Sequence, residues 1–213
     1  MEFINRNIQD YAEKHTTAEP ILLQELHRET WQKVLLPRML SGHLQGRLLS
    51  MISQIKQPQT ILEIGTYTGY ATICLAEGLP KNGRIYTIDK NEELVDFQKK
   101  YFRKAGIENR VEQLTGDALL ILPTLDIGFD MVFLDADKKN YATYFDQIID
   151  KINPGGILLS DNVLWSGKVT KTADYQDVDT KELQFFNQKL REDKRVQTVL
   201  LPIRDGISIS VKV

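Results

Sequence analysis

The fold class of this chain is decided by the segment Thr60-Ile61-Leu62-Glu63-Ile64-Gly65-Thr66-Tyr67-Thr68-Gly69-Tyr70. Its apolar, β-branched start predicts a buried strand, and after the two glycines comes the helix-like stretch Ala71-Thr72-Ile73-Cys74-Leu75-Ala76. A strand, a glycine turn and a helix are typical of α/β proteins that bring backbone against a ligand at the carboxyl end of a strand. A tight turn that binds no ligand is the alternative that this segment alone leaves open.

The composition predicts one globular domain of 213 residues, with 42% hydrophobic and 26% charged residues. The net charge of −2 gives no electrostatic support for nucleic acid or a membrane surface as the main partner. No apolar run is long enough to span a bilayer, and residues 1–6 do not have the character of a signal peptide, so we expect a cytoplasmic protein. The single cysteine, Cys74, excludes an internal disulfide, and its apolar surroundings predict that it packs in the core.

The chain divides into a helical lead-in, residues 1–55, and an α/β core, residues 56–213. In the lead-in, leucines and isoleucines recur at three- and four-residue steps, while Pro20 and Pro37 separate short helices. Within the core, further strands are predicted at residues 83–88, 110–114, 129–134, 157–160, 196–201 and 207–213, with helices in most of the intervals. This alternation predicts a mostly parallel sheet with helices on both faces. Only residues 202–206 separate the last two strands, which must therefore pair antiparallel.

Polar residues and glycines follow the carboxyl ends of five predicted strands, where ligands bind in an open α/β sheet. At the second strand end, Asp89 is suited to accept the hydroxyls of a ribose, unless it only caps the next helix, which Asn91 could do instead. The glycine loop is Gly-x-x-x-Gly, and the preceding Glu63 would repel a pyrophosphate. An acid there suits an ammonium group, so these residues favour S-adenosylmethionine over NAD.

Oxygen ligands are also predicted at the ends of the fourth and fifth strands, where Asp135, Asp161 and Asn162 lie. Two carboxylates and an amide, without sulfur or histidine, suit a hard cation, Mg²⁺ first and Ca²⁺ or Mn²⁺ as alternatives. A helix cap and an Asp-Asn turn are the structural alternative. Lys138 stands near a helix N-terminus, which is unfavourable for a cation, and a nearby metal ion would lower its pKa further. We therefore expect Lys138 to be a general base.

Four sequence blocks together resemble the cation-dependent O-methyltransferases, which include the caffeoyl-CoA and catechol O-methyltransferases. The blocks are LEIGTYTGYA (62–71), FLDADKKNY (133–141), PGGILLSDNVLWSGKV (154–169) and DGISI (205–209), and the resemblance covers about residues 30–213. It implies a seven-stranded sheet of order 3-2-1-4-5-7-6 with strand 7 antiparallel, helices on both faces and N-terminal helices outside.

The resemblance also implies a role for individual residues. It makes Asp135, Asp161 and Asn162 the metal ligands and Lys138 the base. The implied cofactor-binding residues are Met39, Ser41, Gly42, Glu63, Gly65, Tyr67, Gly69, Tyr70, Ala71, Asp89, Gly116, Asp117, Ala118 and Asp135. Met39, Lys138 and Trp165 would contact the acceptor, although Trp165 alone is equally suited to the core. Ala71 replaces a serine of some relatives, which removes one possible contact to the cofactor carboxylate.

The expected reaction is methyl transfer from S-adenosylmethionine to one hydroxyl of a catechol-like small molecule, and relatives of this kind lead us to expect a homodimer. Methylation of a hydroxylated uridine in tRNA is the alternative on the same fold, and the acidic net charge disfavours it. A cofactor-binding protein without turnover and a NAD oxidoreductase are the remaining alternatives.

Overall fold

The protein is built on one seven-stranded sheet of order β3-β2-β1-β4-β5-β7-β6. The structure, a computed structural model, describes residues 5–172 and 177–213. Among the strands of these residues, only β7 runs antiparallel to its neighbours, β5 and β6. The predicted fold class and the terminal hairpin are confirmed. The strands are β1 (Thr60–Ile64), β2 (Arg84–Asp89), β3 (Val111–Thr115), β4 (Phe129–Leu134), β5 (Ile152–Asp161), β6 (Val196–Leu201) and β7 (Ile207–Lys212).

Helices cover both faces of the sheet because alternate strand residues are apolar on both sides. In β1, Ile61 packs into one hydrophobic cluster and Leu62 into the other. Cys74 is completely buried in the first of these clusters, so its predicted packing role is confirmed. The helices are α1 (Arg6–Lys14), α2 (Ile21–Lys33), α3 (Gly42–Lys56), α4 (Tyr70–Ala76), α5 (Val95–Lys104), α6 (Ala118–Ile121), α7 (Tyr141–Ile148) and α8 (Val178–Glu192).

The lead-in forms the three helices α1 to α3, and the breaks fall near the two prolines, as predicted. Residues 1–4 of that segment lie outside the described residues. Helix α2 is joined to α5 by ion pairs between Glu29 and Lys100, at 2.5 Å, and between Glu25 and Lys104, at 2.7 Å. Among the helices that the structure describes, none is long and apolar enough to cross a membrane.

Strand β5 begins earlier than the sequence pattern predicted, at Ile152 instead of residue 157. Helix α7 ends at Ile148, and a single 3-10 turn leads directly into the strand. Phe129 of β4 pairs with Ile152, and the register then shifts so that Met131 pairs with Ile157. The proline and glycines between them therefore occupy a bulge inside the strand, where breakers of regular pairing are tolerated.

Gly65 is the point of closest approach between the first loop and the end of β4. Its φ is +102°, and a Cβ added there would lie 1.9 Å from the carbonyl oxygen of Asp135. Only glycine fits this position, because any side chain would collide with backbone that cannot move aside. Gly65, which the sequence predicted to bring backbone against a ligand, thus also lets the loop after β1 lie against the main chain at the end of β4.

Glu63 is an acid in the core, completely buried near the end of β1. Its Oε2 accepts hydrogen bonds from the hydroxyls of Thr72 and Thr87, each at 2.5 Å. Its Oε1 is buried without a hydrogen-bond partner among the described residues. Burial raises the pKa of Glu63 to about 8, although the two hydrogen bonds act to lower it. The negative charges of Asp135 and Asp89 raise this pKa further. In the ligand-free protein the carboxyl group is therefore mostly protonated at neutral pH.

Replacing Glu63 by glutamine is expected to flatten the pH dependence of stability. The native pKa of about 8 exceeds the ordinary value of 4.5. Between these values the native state binds more protons than the unfolded chain, so the free energy of unfolding of the wild type falls as pH rises. The steepest fall is about 1.4 kcal/mol per pH unit. Urea unfolding of the cofactor-free protein across this pH range measures the slope.

Glu112→Gln, which neutralises an exposed carboxyl group on β3, is the matched control and should keep the wild-type slope. The absolute stability of Glu63→Gln does not enter the comparison, because an unpaired buried amide destabilises equally at every pH. Equal slopes for Glu63→Gln and the wild type would contradict the raised pKa.

Candidate active site

The carboxyl-terminal edge of the sheet carries two adjoining depressions, and Thr66 lines both. One lies between the segment before α3 and the loop after β1. The other lies beside the end of β2. Residues lining the first include Met39, Leu40, Ser41, Gly65, Tyr67, Tyr70, Ala71 and Asp135, and residues lining the second include Thr87, Asp89, Asn91 and Gln98. The structure therefore gathers many of the predicted cofactor-binding residues at one edge.

The two predicted carboxylate ligands are neighbours because β4 and β5 are parallel and in register. Leu134 pairs with Ser160, so Asp135 and Asp161 are the next residues on adjacent strands. Adjacent strands lie about 4.8 Å apart, and residues two apart face the same side. Phe133 and Leu159 both pack in the cluster beneath α3. Asp135 and Asp161 consequently leave the sheet on that same side.

Lys138 supplies a positive charge next to these carboxylates, although its side chain is only 8% exposed. Its Nζ donates to Asp135 Oδ1 at 3.0 Å and to the Tyr141 hydroxyl at 2.7 Å. The Tyr141 hydroxyl in turn donates to the main-chain oxygen of Asp161 at 3.0 Å. This chain of contacts joins the two strand ends through one lysine and one tyrosine.

The pKa of Lys138 is raised in this setting, whereas the sequence led us to expect a lowered value. Burial acts to lower it, but Tyr141, Asp135 and Asp161 outweigh burial. The helix end alone therefore does not produce a neutral lysine, because the nearby acids favour the ammonium form. The further lowering by a metal ion stays a prediction.

Asp161 is almost completely buried and is held by two hydrogen bonds. Its Oδ2 accepts from Gln45 Nε2 at 2.6 Å, and its Oδ1 accepts from the main-chain N–H of Asn162 at 2.7 Å. Burial raises the pKa of Asp161 to about 6, and the neighbouring charge of Asp135 adds to the rise. Two acids placed side by side in this way, one of them almost completely buried, provide strong attraction for a cation.

The donor set fits a hard divalent cation, since it offers the oxygens of Asp135, Asp161 and Asn162 and no sulfur or nitrogen ligand. Asn162 follows the strand with φ of 58°. A group of three or more His, Cys, Asp or Glu side chains suited to a metal does not occur in the described part of the chain. The candidate set has only two such residues, so the amide oxygen and external ligands would complete the site.

Asp89 lines the second depression, and main-chain N–H groups hold both oxygens of its carboxylate. Its Oδ2 accepts from the main-chain N–H of Tyr67 at 2.7 Å and its Oδ1 from that of Asn91 at 2.9 Å. The following helical turn is capped by the Asn91 side chain, which accepts from the N–H of Glu93. The capping role is thus filled by Asn91, the residue that the sequence offered for it. Gln98 donates to the main-chain oxygen of Tyr67 and steadies the same loop.

Other predicted residues occupy less direct positions. Glu63 lies beneath the loop, bonded to two threonines, and Asp117 caps α6 through the N–H of Leu119. Trp165 packs partly against the core with φ of 47°, and its indole nitrogen is buried without a partner in the described residues. All of the predicted cofactor, metal, base and acceptor roles stay predictions, including those of Glu63, Gly69, Gly116, Asp117, Ala118, Gly42 and Trp165.

Two residues of this edge, Gln45 and Arg204, were absent from the sequence prediction. Gln45 is completely buried, and with Leu49 and Ser53 it forms a stripe at four-residue steps on the buried side of α3. A glutamine in such a stripe is a signal that sequence analysis can use. Arg204 lies in the turn between β6 and β7 and donates to Gln45 Oε1 at 2.7 Å. Its sequence surroundings carry no comparable signal.

Comparisons with known proteins agree with this geometry. The family model described as "O-methyltransferase" matches residues 13–213. A caffeoyl-CoA O-methyltransferase of Petroselinum crispum is 33% identical over 206 residues, which cover 90% of this chain and 83% of that protein.

Two solved structures share the fold over almost their whole length. The SAH-bound methyltransferase PaMTH1 of Podospora anserina has a TM-score of 0.89 and 29% identity, with 99% of this chain and 97% of that chain covered. The O-methyltransferase TomG of Streptomyces achromogenes, involved in tomaymycin synthesis and solved in complex with SAM, has a TM-score of 0.89 and 30% identity, with 97% and 96% covered. The match of the family model to nearly all of the sequence shows that this chain belongs to the O-methyltransferase family.

Proposed function

We propose that this chain transfers a methyl group from S-adenosylmethionine to one hydroxyl oxygen of a small molecule with two hydroxyls on neighbouring carbons, as in catechol. A divalent cation would take part at Asp135 and Asp161. The observation that carries the proposal is the adjacent position of these two carboxylates, one of which lines the pocket beside Gly65. Family membership supports transfer to oxygen, and the relative named for caffeoyl-CoA supports an acceptor of this kind.

S-adenosylmethionine, when bound, would supply an electrophilic methyl group on a positively charged sulfur. Asp89 would accept the ribose hydroxyls, because backbone N–H groups already orient its carboxylate. The space that a Cβ at Gly65 would fill lets the loop lie close to the end of β4. Tyr67, Tyr70 and Ala71 line the same depression and would contact the amino-acid part. The SAH- and SAM-bound structures of PaMTH1 and TomG support this choice of cofactor.

A divalent cation, when bound, would hold two acceptor oxygens side by side and lower the pKa of the hydroxyl to be methylated. Asp135, Asp161 and Asn162 would hold it. Their oxygen donors favour Mg²⁺, with Mn²⁺ or Ca²⁺ as alternatives.

Lys138 would receive the acceptor proton at Nζ. The ammonium form now has Asp135 and Tyr141 as hydrogen-bond partners. With the charges of Asp135 and Asp161 engaged by a cation, Lys138 would lose two of the partners that raise its pKa. This change favours the neutral amine, which can accept a proton.

The acceptor would lie between Met39, which is 54% exposed, and the loop that carries Trp165. The net charge of −2 gives no support to tRNA as the acceptor, and a salt-sensitive complex with tRNA would favour that alternative. We also propose a homodimer, supported by exposed apolar side chains of the lead-in such as Ile21, Trp31 and Leu35. A cytoplasmic location fits the single, buried cysteine.

Removal of divalent cations is expected to lower methyl transfer to catechol by more than about tenfold, because the acceptor loses its activation and alignment. Activity should return with Mg²⁺ and stay low on a phenol with one hydroxyl. The measurement is transfer of labelled methyl before and after EDTA, and SAH affinity in EDTA serves as the control for an intact cofactor site. Full activity in EDTA would contradict the role of the cation.

Replacing Lys138 by methionine is expected to lower kcat by about 100-fold or more, because the proton loses its acceptor. Lys139→Met is the matched control, since Lys139 is the exposed neighbour in sequence. Lys138→Arg separates charge from proton transfer, because arginine keeps the charge but does not deprotonate. Steady-state kinetics with catechol measures all three variants, and SAH affinity checks the fold.

Substantial turnover by Lys138→Arg would show that the charge suffices and would contradict the role of Lys138 as base. Unchanged kcat in Lys138→Met would exclude any chemical role for this residue.

A further inference from the structure

Arg204 has an unfavourable backbone conformation at the rim of the site. It lies in the turn between β6 and β7 with φ of 51°. Residues other than glycine rarely adopt this left-handed conformation, because their Cβ then lies too close to the backbone. Such an outlier next to a functional site suggests that the side chain has a specific role.

The Arg204 side chain joins this turn to the start of α3. Nη1 donates to Gln45 Oε1 at 2.7 Å and also to the main-chain oxygen of Ser41, and Nη2 donates to the main-chain oxygen of Leu40 at 3.2 Å. The planar guanidinium thus serves three acceptors in one fixed geometry. Arg204 and Gln45 are 159 positions apart in sequence.

Gln45 passes this constraint to the edge of the sheet. It is completely buried, and its Nε2 donates to Asp161 Oδ2 at 2.6 Å. Chemistry fixes the direction of the amide, because a guanidinium only donates and an ionised carboxylate only accepts. If the Gln45 amide were flipped, its NH2 group would face the N–H groups of Arg204, and its oxygen would face the Asp161 carboxylate. Arg204 therefore determines which end of Gln45 meets Asp161.

Both oxygens of the Asp161 carboxylate accept a hydrogen bond. Gln45 holds Oδ2, and the main-chain N–H of Asn162 holds Oδ1. Partners that orient a ligand in this way typically contribute a factor of 10 to 100 to metal affinity.

We propose that Arg204 is a positioning residue for the cation site, acting through Gln45 on the orientation of the Asp161 carboxylate. The inference rests on the proposed function, since it needs a cation at Asp161. The competing interpretation is that Arg204 only ties the Leu40–Ser41 segment to the turn and leaves Asp161 unaffected.

The test is calorimetric titration of the full-length protein with Mn²⁺ alone, with and without SAH. The variants are Arg204→Ala, Gln45→Ala, the double variant and Arg204→Lys. Arg191→Ala, which removes an exposed arginine of α8, is the matched control.

We expect Arg204→Ala and Gln45→Ala each to weaken Mn²⁺ binding by about tenfold. The double variant should lose no more than either single one, because both act on the same carboxylate. Arg204→Lys should be intermediate, and Arg191→Ala should match the wild type.

Wild-type Mn²⁺ affinity in a folded Arg204→Ala variant would overturn the inference and leave the proposed function standing. Additive losses in the double variant would also overturn it, because they would exclude the route through Gln45. If thermal melting shows that Arg204→Ala does not fold, unchanged affinity in Arg204→Lys and Gln45→Ala decides against the inference. A wild-type protein that binds no Mn²⁺ in either condition would overturn the cation site itself, and this role with it.

Discussion

The site depends on the pairing of β4 with β5, which brings two acids together at the end of the sheet. Since Leu134 pairs with Ser160, Asp135 and Asp161 are adjacent on neighbouring parallel strands. Two negative charges at this spacing, one of them almost completely buried, disfavour the native state unless a positive charge lies near them. Lys138 supplies it, and Tyr141 holds Lys138 against both strand ends. The charge pattern of the edge is thus a consequence of strand register.

The N-terminal lead-in and the C-terminal hairpin both reach this edge, and the lead-in is therefore part of the site. The Tyr67 hydroxyl donates to the main-chain oxygen of Leu35 at 3.0 Å, and Arg204 donates to that of Leu40. These bonds fasten the segment between α2 and α3 at both of its ends. Met39, between the two points, lines the depression next to Gly65. Residues far apart in sequence therefore form one wall of the pocket.

The sequence predicted the sheet well because its main signals are local. Apolar runs followed by glycines and acids located the strand ends, and the short interval at residues 202–206 required the hairpin. The predicted start of β5 was wrong. Pro154-Gly155-Gly156 indicates a break in regular structure, but the sequence does not show whether the break ends a helix or interrupts a strand.

Within the site, the sequence predicted which residues follow the strand ends, but it did not predict the direction or the burial of each side chain. Glu63 is completely buried between two threonines, and no local pattern in the sequence distinguishes a buried carboxyl group from an exposed one at a strand end. The raised pKa of Lys138 depends on the three-dimensional arrangement of Tyr141, Asp135 and Asp161 around it. The contact between Arg204 and Gln45 links the two ends of the chain, which periodicity cannot reveal.

In the described part of the chain, seven residues other than glycine have a positive φ, and six of them lie in the loops at this edge of the sheet, Gln57 being the exception. The six are Leu36, Tyr67, Asn162, Trp165, Ser166 and Arg204. Glycine at Tyr67 would relax the backbone but would also delete a side chain that lines the pocket, and glycine at Asn162 would delete a proposed cation ligand. Thermostability engineering of this enzyme should therefore leave the loops of this edge untouched and seek its gains on the opposite side of the sheet.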